Sequence, residues 1–149
     1  MSSYRQIIYQ IIFRTKHSQK TLKLEHNKRL FKYIWGTIKN KNCHMYRING
    51  MEEHIHILTD LHPSIALADF VRDIKTASSI WLKDSGYFPK FTGWADGYAA
   101  LTYSHWDKDK LINYITNQQE HHNTETFEEE YRRLLEEHNI KIDERYFLK

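Results

Sequence analysis

The sequence predicts an α+β fold: an antiparallel sheet with helices on one face and further helices after it. Three observations predict it. Short runs rich in β-branched and aromatic residues recur four times along the 149 residues. Two amphipathic stretches, with apolar residues three and four apart, separate the first run from the second and the third from the fourth. A tight-turn dipeptide, Asn49-Gly50, joins the second run to the third. The order β-α-β-β-α-β is that of the split βαβ, ferredoxin-like or RRM-like, domains, whose first and third strands lie centrally.

Tyr4 to Phe13 (YRQIIYQIIF) reads as the first strand and is followed by a basic turn. From Leu24 to Asn40, Leu30, Phe31, Ile34, Trp35 and Ile38 mark the inner face of a helix. CHMYRI is a short second strand, Asn49-Gly50 the turn, and HIHILTDL the third strand. Ser64 is placed to cap the second helix, Leu67, Phe70, Val71, Ile74, Ile80 and Trp81 trace its inner stripe, and Gly86 ends it. A glycine-containing loop leads to a fourth strand, YAALTYS. Asp107 can cap a third helix from Lys108 to about His122, with Leu111, Ile112 and Ile115 inward, and an acidic helix follows from Phe127 to His138. The expected organisation is one domain, residues 1–149, with a core over 1–122 and an acidic helical tail over 123–149.

Hydrophobic residues make up 40% of the chain, as in a folded globular protein. No apolar run is long enough for a membrane helix, and the N-terminus lacks the pattern of a signal peptide, so a cytoplasmic location is expected. The single cysteine, Cys43, excludes an internal disulfide and a cysteine-based zinc site. The net charge of +3 hides an asymmetry. Residues 1–119 carry 17 Lys+Arg against 10 Asp+Glu, and residues 120–149 carry 5 against 9. A basic body suits a polyanionic partner such as nucleic acid, although an ordinary solvated surface has the same charge.

Side chains at i and i+2 on a strand share a face. His54 and His56 therefore project together while Ile55 and Ile57 bury on the other side. Two imidazoles so placed can converge on one divalent ion, or can be two half-exposed histidines on a polar face. Tyr114 and Gln118 stand at i and i+4 of the third helix and share one side of it. Gln118 offers an amide oxygen to a hard cation, and Tyr114 a phenol beside it that can attack a polarised phosphate. The alternative is an interface aromatic next to a solvated amide. Two imidazoles and an amide oxygen, with no thiolate, favour Mg²⁺ or Mn²⁺. His121 and His122 can be ligands, DNA contacts or histidines that complement a helix C-terminus. Glu53 and Glu52 can orient a histidine or line a solvated hairpin edge.

GMEEHIHIL, WADGYAALTYS and YITNQQEHH, in this order and at these separations, resemble the single-tyrosine HUH transposases of the insertion-sequence-200-like family. His54-Ile55-His56 matches the family's His, bulky apolar, His motif, and Tyr114 through Gln118 matches its Y-x-x-x-Q. The resemblance runs from the first strand to about His122, with no departure at these positions. It implies a homodimer that recognises hairpins in single-stranded DNA at the ends of its own element. Tyr114 would attack a phosphodiester to give a 5′-phosphotyrosine and a free 3′-hydroxyl, and that hydroxyl would attack another such junction. His54, His56 and Gln118 would hold Mg²⁺ or Mn²⁺, and Tyr114 could serve the partner's site.

Arg14, Lys16, Lys20, Arg72 and Lys75 are candidate contacts to a DNA backbone, each with a solvated surface as the alternative. Trp81, Trp94 and Trp106 could stack on unpaired bases, and core packing explains Trp81 equally. Two other functions fit the same chain. One is a domesticated relative that processes dispersed genomic hairpins. The other is a non-catalytic nucleic-acid-binding module, although the aromatic pattern of RNA-binding sheets is missing.

Overall fold

The computed structural model describes residues 3–149. Its sheet has four strands: β1 (Tyr9–Arg14), β2 (Met45–Gly50), β3 (His54–Thr59) and β4 (Ala99–Thr102). Their order is β2-β3-β1-β4, and every neighbouring pair is antiparallel. The first and third strands are thus the inner pair, as the sequence order implies. Helix α1 (Asn27–Asn40) follows β1, α2 (Leu67–Asp84) follows β3, and α3 (Lys108–Thr116), α4 (Gln118–His121) and α5 (Phe127–Glu137) follow β4.

Alternation along the inner strands divides the core between two faces. Ile11, Phe13, Ile55 and Ile57 pack beneath Leu30, Ile34 and Ile38 of α1 and Phe70, Val71, Ile74 and Leu82 of α2. Their neighbours turn to the other face. There Ile12 of β1 and Ala99 and Leu101 of β4 meet Phe127 and Leu134 of α5. Ile8 and Leu58 meet Leu111 and Ile115 of α3. The face opposite α1 and α2 is therefore covered by α3 and α5, and the histidines of β3 lie beneath that cover.

Several boundaries differ from expectation for local reasons. β1 begins at Tyr9, because Tyr9 pairs with Thr59, the last residue of β3, and no strand continues alongside Tyr4, which is 94% exposed. α2 starts at Leu67 without a side-chain cap, and Ser64 bonds instead to His62. Ile80 lies on the solvent side of α2, while Ser78 and Leu82 take the inner positions. Asn49 and Gly50 remain in the β ladder, opposite His56 and Ile55, so the turn falls at residues 51–53. Gly50 is needed for close approach and not for a positive φ: a Cβ there would lie 2.2 Å from the His54 carbonyl oxygen.

The third helix breaks in two at Asn117. The Asn49 amide reaches across from β2 and donates at 3.0 Å to the carbonyls of both Ile115 and Thr116. Carbonyls so engaged no longer need the next helical turn, and the chain restarts as α4. The Gln119 amide donates to Asn49 Oδ1 and to the Gly50 carbonyl, which ties the break to the end of β2. Tyr114 and Gln118 consequently sit on either side of this junction, above β3.

Candidate active site

His54 and His56 are both fully buried. Their outer nitrogens are anchored first. His54 Nδ1 is 2.6 Å from Glu53 Oε1, and His56 Nδ1 is 2.8 Å from Gln10 Oε1. Both partners are acceptors, so each Nδ1 carries the proton it donates, and each Nε2 faces inward. Gln10 is fixed in turn by its amide donating to Tyr103. A carboxylate or amide oxygen behind each imidazole is the arrangement that orients metal-ligating histidines.

The inward nitrogens meet a residue from the acidic helix. Nε2 of His54, His56 and His122 stand 3.3, 3.1 and 3.0 Å from Glu130 Oε1. The other oxygen, Glu130 Oε2, accepts from the Gln118 amide at 2.8 Å and from the Tyr114 hydroxyl. Gln118 Oε1 lies 3.2 Å from His54 Nε2. The four residues predicted from sequence, His54, His56, Tyr114 and Gln118, thus converge on one buried carboxylate. Tyr114 and Gln118 meet through Glu130.

Local sequence explains how the acidic helix delivers it. Thr126 and Glu129 form a reciprocal capping box that starts α5. Phe127, Glu130 and Leu134 then share the stripe that faces the sheet, and all three are buried. Phe127 stacks on the His54 ring at 4.0 Å. Glu130 is in the first turn of α5, where the helix dipole favours a negative charge. Sequence reasoning missed Glu130. The available signal was a lone carboxylate on an apolar stripe, three residues after Phe127 and four before Leu134.

Charge is exchanged within this cluster. Burial opposes ionisation of Glu130, but the three histidines hold its carboxyl well below the ordinary range. Burial likewise opposes the charge on His54, yet Glu130 and Glu53 outweigh it and raise its pKa. His56 goes the other way, because burial prevails and favours the neutral ring. The Tyr114 phenol is raised by burial and then by Glu130, so it stays protonated at neutral pH. The donor set suits a divalent cation of the Mg²⁺, Mn²⁺ type: imidazole nitrogens, a carboxylate and an amide oxygen, without sulfur. Ligand atoms of His54, His122 and Glu130 lie within 4.8 Å of one another.

The candidate DNA contacts occupy different settings. Lys16 and Lys20 are exposed. Lys16 borders a cleft of about 600 Å³ that also includes Lys75, Trp94 and Lys149. Arg14 is buried, and its guanidinium bonds Ser18 and the Lys149 carbonyl. Lys75 donates to the carbonyls of Ala95 and Gly97. Arg72 pairs with Asp69 and Asp73. Trp94 donates to Ser78 and packs edge-on to Phe13, Trp81 stacks on Tyr33, and Trp106 is 90% exposed. Among the described residues, no helix is long and apolar enough to cross a membrane.

Solved structures of transposases resemble this fold. One is a candidate transposase from Deinococcus radiodurans R1, with a TM-score of 0.58 and 23% identity, over 79% of this chain and 95% of that one. Another is a REP-associated tyrosine transposase bound to a REP hairpin, with a TM-score of 0.56 and 16% identity, over 78% of this chain and 72% of that one. No curated protein matches the chain. The family model described as "Transposase IS200 like" matches residues 3–118, from before β1 to Gln118. This chain belongs to the IS200-like transposase family.

Proposed function

We propose that the chain, residues 1–149 acting as one unit on a ferredoxin-like sheet, cleaves and rejoins single-stranded DNA with Tyr114 as nucleophile. The observation that carries this reading is the convergence of Tyr114, Gln118, His54 and His56 on Glu130. Tyr114 Oη would bond to phosphorus in line with the departing 3′-oxygen, giving a 5′-phosphotyrosine and a free 3′-hydroxyl. The phenol proton is already directed at Glu130 Oε2. Glu53 and Gln10 orient the imidazoles, and their side chains would hold His54 and His56 in place as ligands. His54, His56 and Gln118 would hold the metal, with His122 and Glu130 within reach of the same point. A divalent ion bound there supplies positive charge that polarises the scissile phosphate and offsets its developing negative charge.

The DNA would be hairpin-containing, the class of ligand to which the REP-associated neighbour is bound. Exposed Lys16 and Lys20 are suited to its backbone. Arg14 and Lys75 hold the loops around them, and Arg72, with its two aspartates, is the weakest anion contact of the five. The same neighbour favours a second reading of the biology, in which the chemistry acts on dispersed genomic hairpins instead of element ends. A homodimer in which Tyr114 serves the partner's site remains part of the proposal, tested by mixing Tyr114→Phe with a His56→Ala subunit.

The test is a covalent-adduct assay with single-stranded hairpin oligonucleotides and Mn²⁺ or Mg²⁺. Wild type should form a DNA adduct that survives denaturation, and a chelator should abolish it. Tyr114→Phe should form none. An undiminished adduct in that variant removes Tyr114 as nucleophile, and DNA binding indifferent to metal and to His56→Ala points to a non-catalytic binding module.

A further inference from the structure

Tyr114 Oη has two partners. One is Glu130, and the other is Arg133, one turn further along α5, whose Nη2 donates to the phenol oxygen at 2.8 Å. Arg133 is held by two carboxylates. Glu125 accepts from its Nε and Nη2, each at 2.9 Å, and Glu137 accepts from Nη1 at 3.1 Å. A two-pronged Arg–carboxylate pair fixes the plane of the guanidinium, so the donor aimed at Tyr114 is held in direction before any reaction. Tyr114 and Arg133 also line a cleft of about 320 Å³, with Gln10, Tyr103 and Lys110. Tyr114 is only partly buried, and this cleft borders it.

A neutral phenol gains little from a second donor. A phenolate gains much more, because a preoriented charged donor acts on charge as it develops. The phenol oxygen becomes negative when the phosphotyrosine link is broken. We propose that Arg133 is a catalytic residue of the rejoining step, stabilising the Tyr114 phenolate as it leaves phosphorus; this rests on the reading of Tyr114 as nucleophile. In that step a DNA 3′-hydroxyl attacks phosphorus and releases its proton to solvent. The new P–O3′ bond forms as the P–Oη bond breaks. The electron pair departs on Oη, opposite the Arg133 Nη2–H, and the phenolate then takes a proton from solvent. Nothing is oxidised or reduced.

The experiment follows resolution of preformed full-length adduct by a DNA strand bearing a 3′-hydroxyl. Arg133→Gln should slow resolution by roughly 10²–10³-fold, the range for loss of one preorganised oxyanion donor. Arg133→Lys should retain part of the rate. A fluorinated tyrosine at position 114, a better leaving group, should recover most of the deficit in Arg133→Gln while changing wild type little. A purely structural role for Arg133 predicts the same deficit with either phenol, and that result overturns the proposal, as does resolution at the wild-type rate. If Arg133→Gln does not fold, the comparison of the two phenols in Arg133→Lys decides in the same way. Absence of any Tyr114-dependent adduct in wild type defeats the functional reading itself, and this inference with it.

Discussion

Glu130 is a carboxylate with no exposed surface that serves three imidazoles, an amide and a phenol. Removing one partner from a buried ion pair leaves an uncompensated charge, at a cost of about 3–5 kcal/mol. Glu130→Gln should lose stability in that range in metal-free protein, measured by urea denaturation. The sign of its pH dependence follows from the shifts. Glu130 is depressed from an ordinary 4.5, so its contribution is present above that value and lost as pH falls through its folded value. His54 is raised from an ordinary 6.5, so its contribution is complete below that value and lost as pH rises through its folded value. The gap between wild type and Glu130→Gln should be widest between these two values and should narrow in alkali. A gap that grows steadily with pH would show that His54 carries no charge in the pair. The period of two in β3 made His54 and His56 readable as a pair, because it depends on adjacent residues alone. Glu130 lies seventy-four residues from His56 along the chain, and only tertiary packing brings them together.

Among the elements, the junction of α3 and α4 separates Tyr114 from Gln118. A continuous helix was expected from Lys108 to about His122, since no glycine or proline interrupts it. The break comes from Asn49, a residue that reads locally as half of a turn. Backbone preference marks Asn and Gly as permissive but does not say which constraint they relieve. Here Gly50 relieves crowding against β3, and Asn49 supplies donors to another element. Asn49→Ala removes those donors and should cost about 1–2 kcal/mol, the scale of one or two hydrogen bonds to orphan carbonyls. It should also slow adduct formation, because Tyr114 loses its fixed height above the sheet. A stability loss without any change in adduct rate would mean that α3 is held by Leu111 and Ile115 alone. The amphipathic helices α1 and α2 are legible apart from Trp35 and Ile80, whose spacing fits the inner stripes although their side chains are 43% and 60% exposed.

At the scale of the whole molecule, the sequence separates a basic body from an acidic tail, and the fold lays one over the other. The tail is legible as a helix from its capping box and apolar stripe. Its place on the sheet is not, since nothing in its composition names the face it covers. With α5 seated, His54, His56, Gln118 and Glu130 are all fully buried. A phosphodiester and the Glu130 carboxylate cannot occupy the same space, so in the proposed reaction the acidic helix lifts for the histidines to meet DNA and reseats for Arg133 to reach Tyr114 Oη in rejoining. This sets a clock. At low DNA concentration, adduct formation should rise in proportion to DNA. At high concentration it should level off at the rate at which α5 lifts, which hydrogen exchange at the Leu134 amide can measure independently. A rate that continues to climb past that opening rate would mean that DNA threads in beside a seated helix. A plateau at the opening rate would make the motion of one acidic helix, and not the encounter with DNA, the step that times the reaction.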